Sequence, residues 1–302
     1  LVPLALGSDG AGSIRIPASC TGLVGLKASR NRVTGFVESL ASASTSGAVC
    51  RDVADAAALL DVLAELDTGA WNVAPPPSRP FADEVGADPG RLRVRAAIDN
   101  LLGLPPDRAC VDATLAAASL LSDLGHEVTE GSPAWPDPGE FLVGFLTVWA
   151  TISAAQGLVD PERMEPHNLA SRAQAAATDS LAYVEAIAQL QAGSRAFTSQ
   201  FGRDFDGLVG PTMAVEPPPV GSVWAGTEDD PNAPITNSTP MAAYTALFNV
   251  SGQPAVSLPM HVSDGGLPVG VQIAAPPWQE AVLIRLASQI EAARPWAALP
   301  DL

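Results

Sequence analysis

Apolar positions recur along the chain with two periods, which predict strands alternating with helices. Residues 92–98 alternate between apolar and polar or small side chains, a pattern typical of a strand with one buried face. Apolar residues at helical spacing fill 52–66 behind the capping residue Asp52, and Asp107 caps a second helical pattern that ends at Gly125. Residues 126–129 predict the next strand. This succession indicates an α/β sheet covered by helices.

The rest of the chain adds further strands, helices and two irregular stretches. Short apolar runs predict buried strands at residues 2–6, 207–210, 255–259 and 269–274. Helices are predicted through most of 140–205 and at 244–250 and 278–292. Residues 14–25, with Pro17 and glycines, are predicted to be irregular, as is the Ser-rich segment 39–49. No repeat or change of composition divides the chain, so a single domain is expected over residues 1–302.

The composition is that of a globular, acidic protein. Of the 302 residues, 47% are hydrophobic and 16% are charged, so a sizeable core can be buried. The 16 Lys and Arg residues stand against 33 Asp and Glu, which gives a formal net charge of −17. This charge disfavours nucleic acid or an anionic membrane as a partner, because both repel an acidic surface.

Cysteine and histidine usage predicts neither a disulfide framework nor a metal site. Cys20, Cys50 and Cys110 are widely spaced, and the three histidines have no HExxH or HxxxH spacing. No apolar run reaches the length of about 18 residues that a membrane helix needs. The first residues also lack the basic region of a signal peptide. A cytoplasmic protein with reduced thiols and no membrane span is therefore expected.

One segment carries recognisable chemistry: GSDGAGSIRIPASCTGLVGLK, residues 7–27. Three small residues at 10–12 precede Ser13 and allow a sharp turn in which several backbone N–H groups point into one space. A serine beside such a turn has what acyl transfer requires, namely a nucleophile and donors for the oxyanion. Asp9 and Arg15 are spaced to pair across the base of the turn and hold its shape.

Two common glycine-loop motifs do not fit this segment. No GK[ST] follows the glycines, which excludes a Walker loop. The spacing is GxxGxG rather than GxGxxG, which excludes a dinucleotide-binding fingerprint. On spacing alone, a purely structural turn stays open beside a catalytic one.

The same segment resembles the core of the amidase signature, a D-x-[GA]-G-S-I-R-x-P pattern whose serine becomes acylated. Other stretches resemble further segments of that family in the same order: GAVCRDVADAAALLDVLA, DGLVGPTMAVEPPPVG, FNVSGQPAVSLPM and GLPVGVQIAA. The resemblance extends from Leu1 to about Trp296. On these motifs the chain is identified as a member of the amidase signature family.

The resemblance implies an α/β amidase signature fold with a mixed central β-sheet flanked by helices. It implies that Ser13 is the nucleophile and that the backbone N–H groups of Gly10, Ala11 and Gly12, with that of Ser13, form the oxyanion hole. Ala11 stands where many relatives have glycine, and a positive φ there would cost about 1 kcal/mol. The implied chemistry needs neither a metal nor an organic cofactor.

The family's base is a lysine acting through a cis-serine, and both precede the nucleophile, the serine within a G-S-S-G-G run. No such run occurs here. The single lysine, Lys27, matches a structural G-L-K position and is expected to form an ion pair, while His126, His167 and His261 lie in no catalytic motif. An incomplete copy of the fold is therefore expected. It would lack N-terminal strands and helices, expose a sheet edge, and be completed by a missing N-terminal segment or by a homodimer.

Three functions stay open on the sequence. The favoured one is hydrolysis of a small-molecule amide to an acid and an amine or ammonia through a serine acyl-enzyme in the complete protein. An inactive remnant, or a split-enzyme subunit, is the alternative because the base is missing. An amidotransferase subunit acting on aminoacylated tRNA is disfavoured by the acidic charge. Loops near 135–180 and 212–240 are expected to shape the pocket, with Trp135, Trp149 and Trp224 as lining or core residues.

Overall fold

A mixed β-sheet organises the computed structural model, which describes residues 2–34, 43–155, 160 and 163–296, with residue 153 described for its backbone only. Within these residues the sheet has eight strands: β1 (Leu4–Asp9), β2 (Val24–Lys27), β3 (Thr45–Cys50), β4 (Arg93–Ala96), β5 (Glu127–Glu130), β6 (Gly207–Pro211), β7 (Ala255–Val262) and β8 (Pro268–Ala274). Their order is β1-β3-β2-β7-β8-β6-β4-β5. The pairs β4–β5 and β4–β6 are parallel, and the other pairs are antiparallel.

Helices cover both faces of this sheet. Over the same described residues they are α1 (Arg15–Thr21), α2 (Val53–Leu63), α3 (Arg108–Asp123), α4 (Pro138–Ala155), α5 (Pro166–Ala177), α6 (Ser180–Thr198), α7 (Ala233–Ala242), α8 (Ala246–Val250) and α9 (Glu280–Ala293). Two short 3₁₀ turns lie at Phe81–Glu84 and Ser222–Trp224. None of the described helices is both long enough and apolar enough to cross a membrane.

Alternate residues of the central strands point to opposite faces and so divide the helices between two layers. On one face, Val24 of β2 and Val271 of β8 join a core with α2, α3 and α9. On the other face, Gly25 and Gly270 lie under α1, and Ala274 packs among aromatic side chains of α4, α6 and α8. The predicted α/β architecture, a mixed sheet flanked by helices, is confirmed.

Two segments predicted to be irregular are regular. Residues 15–21 form α1, because Pro17 lies in the first helical turn, where its missing N–H is not needed. Gly22 then ends the helix in the left-handed region, with φ 68°. Residues 45–50 of the Ser-rich segment form β3, which lies between β1 and β2. Positions 39–42 of that segment lie outside the described residues.

The first strand differs from its prediction in burial and in length. It was expected to be buried, but within the described part of the chain it pairs with β3 alone and leaves Leu6 62% exposed. It also continues to Asp9, three residues beyond its predicted end at residue 6, so that the turn begins at Gly10. The start of the sequence therefore forms a sheet edge in this structure.

The two predicted helix caps have different outcomes. Asp52 caps α2 as predicted, because its side chain accepts the N–H of Asp55 at 2.7 Å. Asp107 stands at the N-cap position of α3, but its side chain makes no capping bond. Its Oδ2 accepts the N–H of Glu216 at 3.0 Å instead. The predicted side-chain cap of α3 is therefore wrong, because the Asp107 carboxylate accepts a hydrogen bond from a distant backbone N–H instead.

Candidate active site

Ser13 lies in the turn of residues 10–14, which joins the end of β1 to the start of α1. Its side chain is exposed. Ala11 does not have a positive φ, so the cost considered for alanine at this position does not arise. Gly12 is the residue that needs the freedom of glycine, because its φ is 133°.

Gly12 is required by space as well as by conformation. A Cβ at this position would lie 2.4 Å from Thr245 Oγ1 and 2.6 Å from Ile16 Cδ1. Real Cβ atoms do not approach other atoms this closely, so any side chain here would displace Thr245 or the first turn of α1. The turn is therefore packed directly against the residue that precedes α8.

The Asp9 carboxylate is fully buried at the base of the turn and accepts five hydrogen bonds. Two come from the N–H groups of Gly12, at 2.6 Å, and Ile14, at 3.2 Å. Arg15 donates from Nε at 3.0 Å and from Nη2 at 2.9 Å, and Asn249 Nδ2 donates at 2.9 Å. Burial alone would raise the pKa of this carboxyl, but the charge and hydrogen bonds of Arg15 outweigh it and lower the pKa to about 2.

Arg15 links the turn to residues more than 200 positions further along the chain. Its Nη1 donates to the carbonyl oxygen of Thr245 at 3.0 Å and to Gln272 Oε1 at 2.7 Å. Its Nη2 donates to Asn249 Oδ1 at 2.5 Å. With the two bonds to Asp9, all five guanidinium N–H groups have acceptors. The ion pair is therefore fully satisfied in spite of its complete burial.

Helix α1 rests on the backbone of the sheet through two glycines. A Cβ on Gly25 of β2 would lie 2.6 Å from Ala18 Cβ, and one on Gly270 of β8 would lie 2.7 Å from Ser19 Oγ. Ser19 Oγ also accepts the N–H of Gly270 at 2.9 Å. The helix that follows Ser13 is therefore held in place by two strands rather than by the turn alone.

The backbone N–H groups of the turn fall into two sets. That of Gly12 donates inward to Asp9 and is already engaged. Those of Gly10, Ala11 and Ser13 have no protein acceptor among the described residues. One of the four backbone N–H groups expected to form the oxyanion hole, that of Gly12, is therefore already bonded to Asp9.

Lys27 is not paired as expected. It is fully buried, and its Nζ donates to the carbonyl oxygen of Ala28 at 2.8 Å. No carboxylate of the described residues forms an ion pair with it, so the expected structural ion pair is wrong. Burial, followed by the charge of Arg15, lowers the pKa of Lys27 to about 7. No hydrogen bond between described residues connects Lys27 to Ser13.

No hydrogen bond between described residues joins His126, His167 or His261 to Ser13, and His261 lies on β7 opposite Val269. The ring of His126 accepts the N–H of Leu92 at Nδ1, 3.2 Å, and faces Gln289 Oε1 from Nε2, 2.9 Å. His167 packs against Trp224 with ring centroids 5.1 Å apart. Within the described ranges no side chain is hydrogen-bonded to Ser13 as a base, and no three His, Cys, Asp or Glu side chains are grouped to hold a metal ion.

The three tryptophans considered for the pocket lie in different surroundings. Trp135 stacks on Phe197 with centroids 5.6 Å apart and donates to Asp99 Oδ2 at 2.7 Å, so it belongs to the core of the α4–α6 layer. Trp149 lies beside Phe145 on α4, at 5.7 Å. Trp224 is 55% exposed. Trp135 therefore packs against the core and also lines a cavity together with Asp99 and Tyr244.

Comparison with known proteins identifies the family. The family model described as Amidase matches residues 1–284. The chain belongs to the amidase family. This agrees with the motifs in its sequence, and the amidase-family fold is confirmed by solved structures. A structure of 6-aminohexanoate cyclic dimer hydrolase complexed with substrate is 32% identical and superposes with a TM-score of 0.90 over 97% of this chain and 65% of that one.

Curated relatives of this amidase-family chain are longer than it is. The 6-aminohexanoate-cyclic-dimer hydrolase of Pseudomonas sp. strain NK87 is 35% identical over 99% of this chain and 64% of its own length. A putative amidase of Synechocystis sp. is 33% identical over 96% of this chain and 56% of its own length. A bacterial aryl acylamidase, 21% identical with a TM-score of 0.79, shares the fold. The chain therefore spans between 56% and 65% of the length of these relatives.

Sequence reasoning missed three polar residues around the turn of this amidase-family chain. They are Thr245, Asn249 and Gln272, all buried and all bonded to the turn or to Arg15. Gln272 is the lone polar residue of the apolar stretch GVQIAA, which was the available signal. Asn249 stands in FNVSGQ, where Ser251 and Gln253 are polar as well. Thr245 could not be recognised from the sequence as a partner of the turn, because threonine is common in such a segment.

Proposed function

We propose that the protein carrying this chain hydrolyses carboxylic amides to an acid and an amine or ammonia, with Ser13 as its nucleophile. The observation that supports this is the exposed Ser13 hydroxyl beside backbone N–H groups that have no acceptor among the described residues. Such donors stabilise the negative charge of a tetrahedral intermediate, which is the largest single contribution in many acyl-transfer enzymes.

The proposed reaction has two stages. Ser13 Oγ loses its proton to a base and attacks the amide carbonyl carbon, and the oxyanion accepts hydrogen bonds from the N–H groups of Ala11 and Ser13. The carbon–nitrogen bond then breaks as the nitrogen takes a proton, which leaves an ester on Ser13. Water, deprotonated by the same base, attacks this ester, and the acid leaves as the serine regains its proton.

The proposed base lies outside the described residues. The resemblance implies a lysine that acts through a serine, in a segment preceding Leu1 in the polypeptide or in a partner subunit. The fact that this chain spans 64% of the length of a curated relative supports such an arrangement. The 302 residues would then form the larger part of one amidase domain.

A second candidate is a catalytically inactive remnant. The observation that favours it is the lack, among the described residues, of any side chain placed to deprotonate Ser13. The two candidates differ in one property, the ability of Ser13 to become acylated.

The substitution Ser13→Ala tests both candidates, with Ser8→Ala as the matched control because Ser8 is an exposed serine on the same edge strand. The protein is assayed with any segment that precedes Leu1 in its coding sequence. Release of amine or ammonia is followed from aliphatic and aryl amides and from the 6-aminohexanoate cyclic dimer that gives two relatives their name. Labelling by a serine-directed fluorophosphonate is located by mass spectrometry.

Ser13→Ala is expected to lower the rate by more than about a thousandfold, and Ser8→Ala to leave it unchanged. Full activity of Ser13→Ala would remove Ser13 from the role. A parent protein that neither turns over an amide nor labels at Ser13 would establish the inactive remnant instead.

A further inference from the structure

One peptide group in the turn is held at both of its ends by side chains. The carbonyl of Ala11 and the N–H of Gly12 belong to the same planar trans peptide and point in opposite directions. The N–H donates to Asp9 Oδ1 at 2.6 Å, and the carbonyl oxygen accepts a hydrogen bond from Thr245 Oγ1. Asp9 and Thr245 come from different elements, 236 positions apart in the numbering of the chain.

Thr245 is itself firmly anchored. It is fully buried, and its own carbonyl oxygen accepts the Nη1 of Arg15 at 3.0 Å. Its side chain fills the space that a Cβ on Gly12 would occupy, with Oγ1 at 2.4 Å and Cβ at 2.9 Å from that position. The Thr245 side chain therefore packs beside Gly12 while its backbone is held by Arg15.

The next peptide of the turn is fixed by the helix. The carbonyl oxygen of Gly12 accepts the N–H of Ile16 at 2.7 Å, which is the first bond of α1. Because a trans peptide points its two polar ends in opposite directions, the N–H of Ser13 is directed away from the helix. The orientation of the Ser13 N–H depends on the peptide groups on either side of it. One of them is the peptide between Ala11 and Gly12, which Asp9 and Thr245 hold.

We propose that Thr245 is a positioning residue for acylation of Ser13. Its hydroxyl holds the peptide between Ala11 and Gly12 with the N–H turned inward, so that the N–H groups of Ala11 and Ser13 stay aimed at the oxyanion. The inference rests on the proposed function of Ser13. Removing the hydroxyl leaves the carbonyl oxygen of Ala11 without its donor. The peptide between Ala11 and Gly12 then reorients, and the N–H groups of Ala11 and Ser13 lose their alignment.

The test compares Thr245→Val, which keeps the shape and removes the hydroxyl, with Thr245→Ser, which keeps the hydroxyl. Thr245→Val is expected to lower kcat by at least about tenfold, approaching the effect of losing an oxyanion donor, which is about 10²–10³. KM is expected to stay close to that of the parent, and Thr245→Ser to restore kcat. Faster hydrogen exchange at the Gly12 amide in Thr245→Val, followed by NMR, reports release of the peptide independently of activity.

The outcomes separate this inference from the proposed function. Ser13→Ala, assayed beside the Thr245 variants, overturns the proposed function if it stays active, whatever the Gly12 exchange rate is. If Ser13 is essential but Thr245→Val and Thr245→Ser have the same kcat, the positioning role is overturned. A change confined to the thermal midpoint of unfolding overturns it as well. Should Thr245→Val fail to fold, Thr245→Ala takes its place under the same criteria.

Discussion

The buried Lys27 makes the stability of this protein depend on pH in a direction that can be measured. Its pKa is about 7 in the folded chain, against an ordinary value of 10.5. Burial lowers it most, then Arg15; Asp9 and Glu280 raise it, and Arg30 lowers it further. Between pH 7 and 10.5 the unfolded chain therefore binds up to one proton more than the folded chain. Stability therefore rises with pH across this window, because the unfolded state, which binds more protons, becomes less favourable as the proton concentration falls.

The magnitude follows from one proton. Between pH 7 and 9 this difference corresponds to a gain of about 2 kcal/mol in the free energy of unfolding, because the folded lysine is still half protonated at pH 7. Lys27→Met removes the titrating group and keeps a side chain of similar length, so this gain is expected to disappear. The absolute stability is a poorer measure, because the variant also leaves the carbonyl oxygen of Ala28 without its donor.

Equilibrium unfolding in urea, followed by tryptophan fluorescence, measures the slope at pH 7, 8 and 9 in both proteins. Cys50 and Cys110 act in the opposite sense, because burial raises their pKa to about 12 and the unfolded thiols ionise first. Both thiols are present in the parent and in the variant, so their effect cancels in the difference. Equal slopes in the two proteins would refute the assignment of a proton-binding difference to Lys27.

Two further substitutions test the turn itself. Asp9→Asn is expected to cost about 3–5 kcal/mol at pH 7, because it leaves Arg15 buried without its counter-charge. The pKa of Asp9 is about 2, so its stabilisation is present above about pH 4 and is lost as pH falls towards 2. In a pH series of urea unfolding the two proteins should therefore converge at acid pH, and a constant difference would contradict this. Gly12→Ala is expected to cost more than about 2 kcal/mol in thermal unfolding, because of its positive φ and the contact with Thr245. The control Ala11→Gly should change stability by less than about 1 kcal/mol, and equal losses would contradict the assignment of strain to Gly12.

The periodic elements could be predicted from the sequence, and the strands built from small residues could not. The helices α2, α3 and α9 have apolar faces whose spacing does not depend on what packs against them. β3 is paired on both sides, with β1 and β2, but its sequence resembles that of a loop because most of its residues are small. At Gly47 a Cβ would lie 2.2 Å from the carbonyl oxygen of Leu26, so the neighbouring strand excludes any side chain at this position.

The residues of the candidate site also differ in whether the sequence alone predicts them. Ser13, Asp9 and Arg15 lie within seven residues of one another, and their motif is visible in the sequence. Thr245 and Gln272 join them only through the fold, and no local pattern of polar and apolar residues reports a hydrogen bond that spans more than 200 positions. Buried polar residues in apolar segments are the one sequence signal that such partners leave.

The long span of the Arg15 contacts sets the order in which the turn can be assembled. Its acceptors Thr245 and Gln272 follow it by 230 and 257 positions. At a synthesis rate of about 5–20 residues per second, these partners emerge roughly 10–50 s after Arg15. Until then Arg15 has only local partners such as Asp9, and the carbonyl of Ala11 lacks its donor. The serine turn can therefore be completed only after β8 has been synthesised and has joined the sheet.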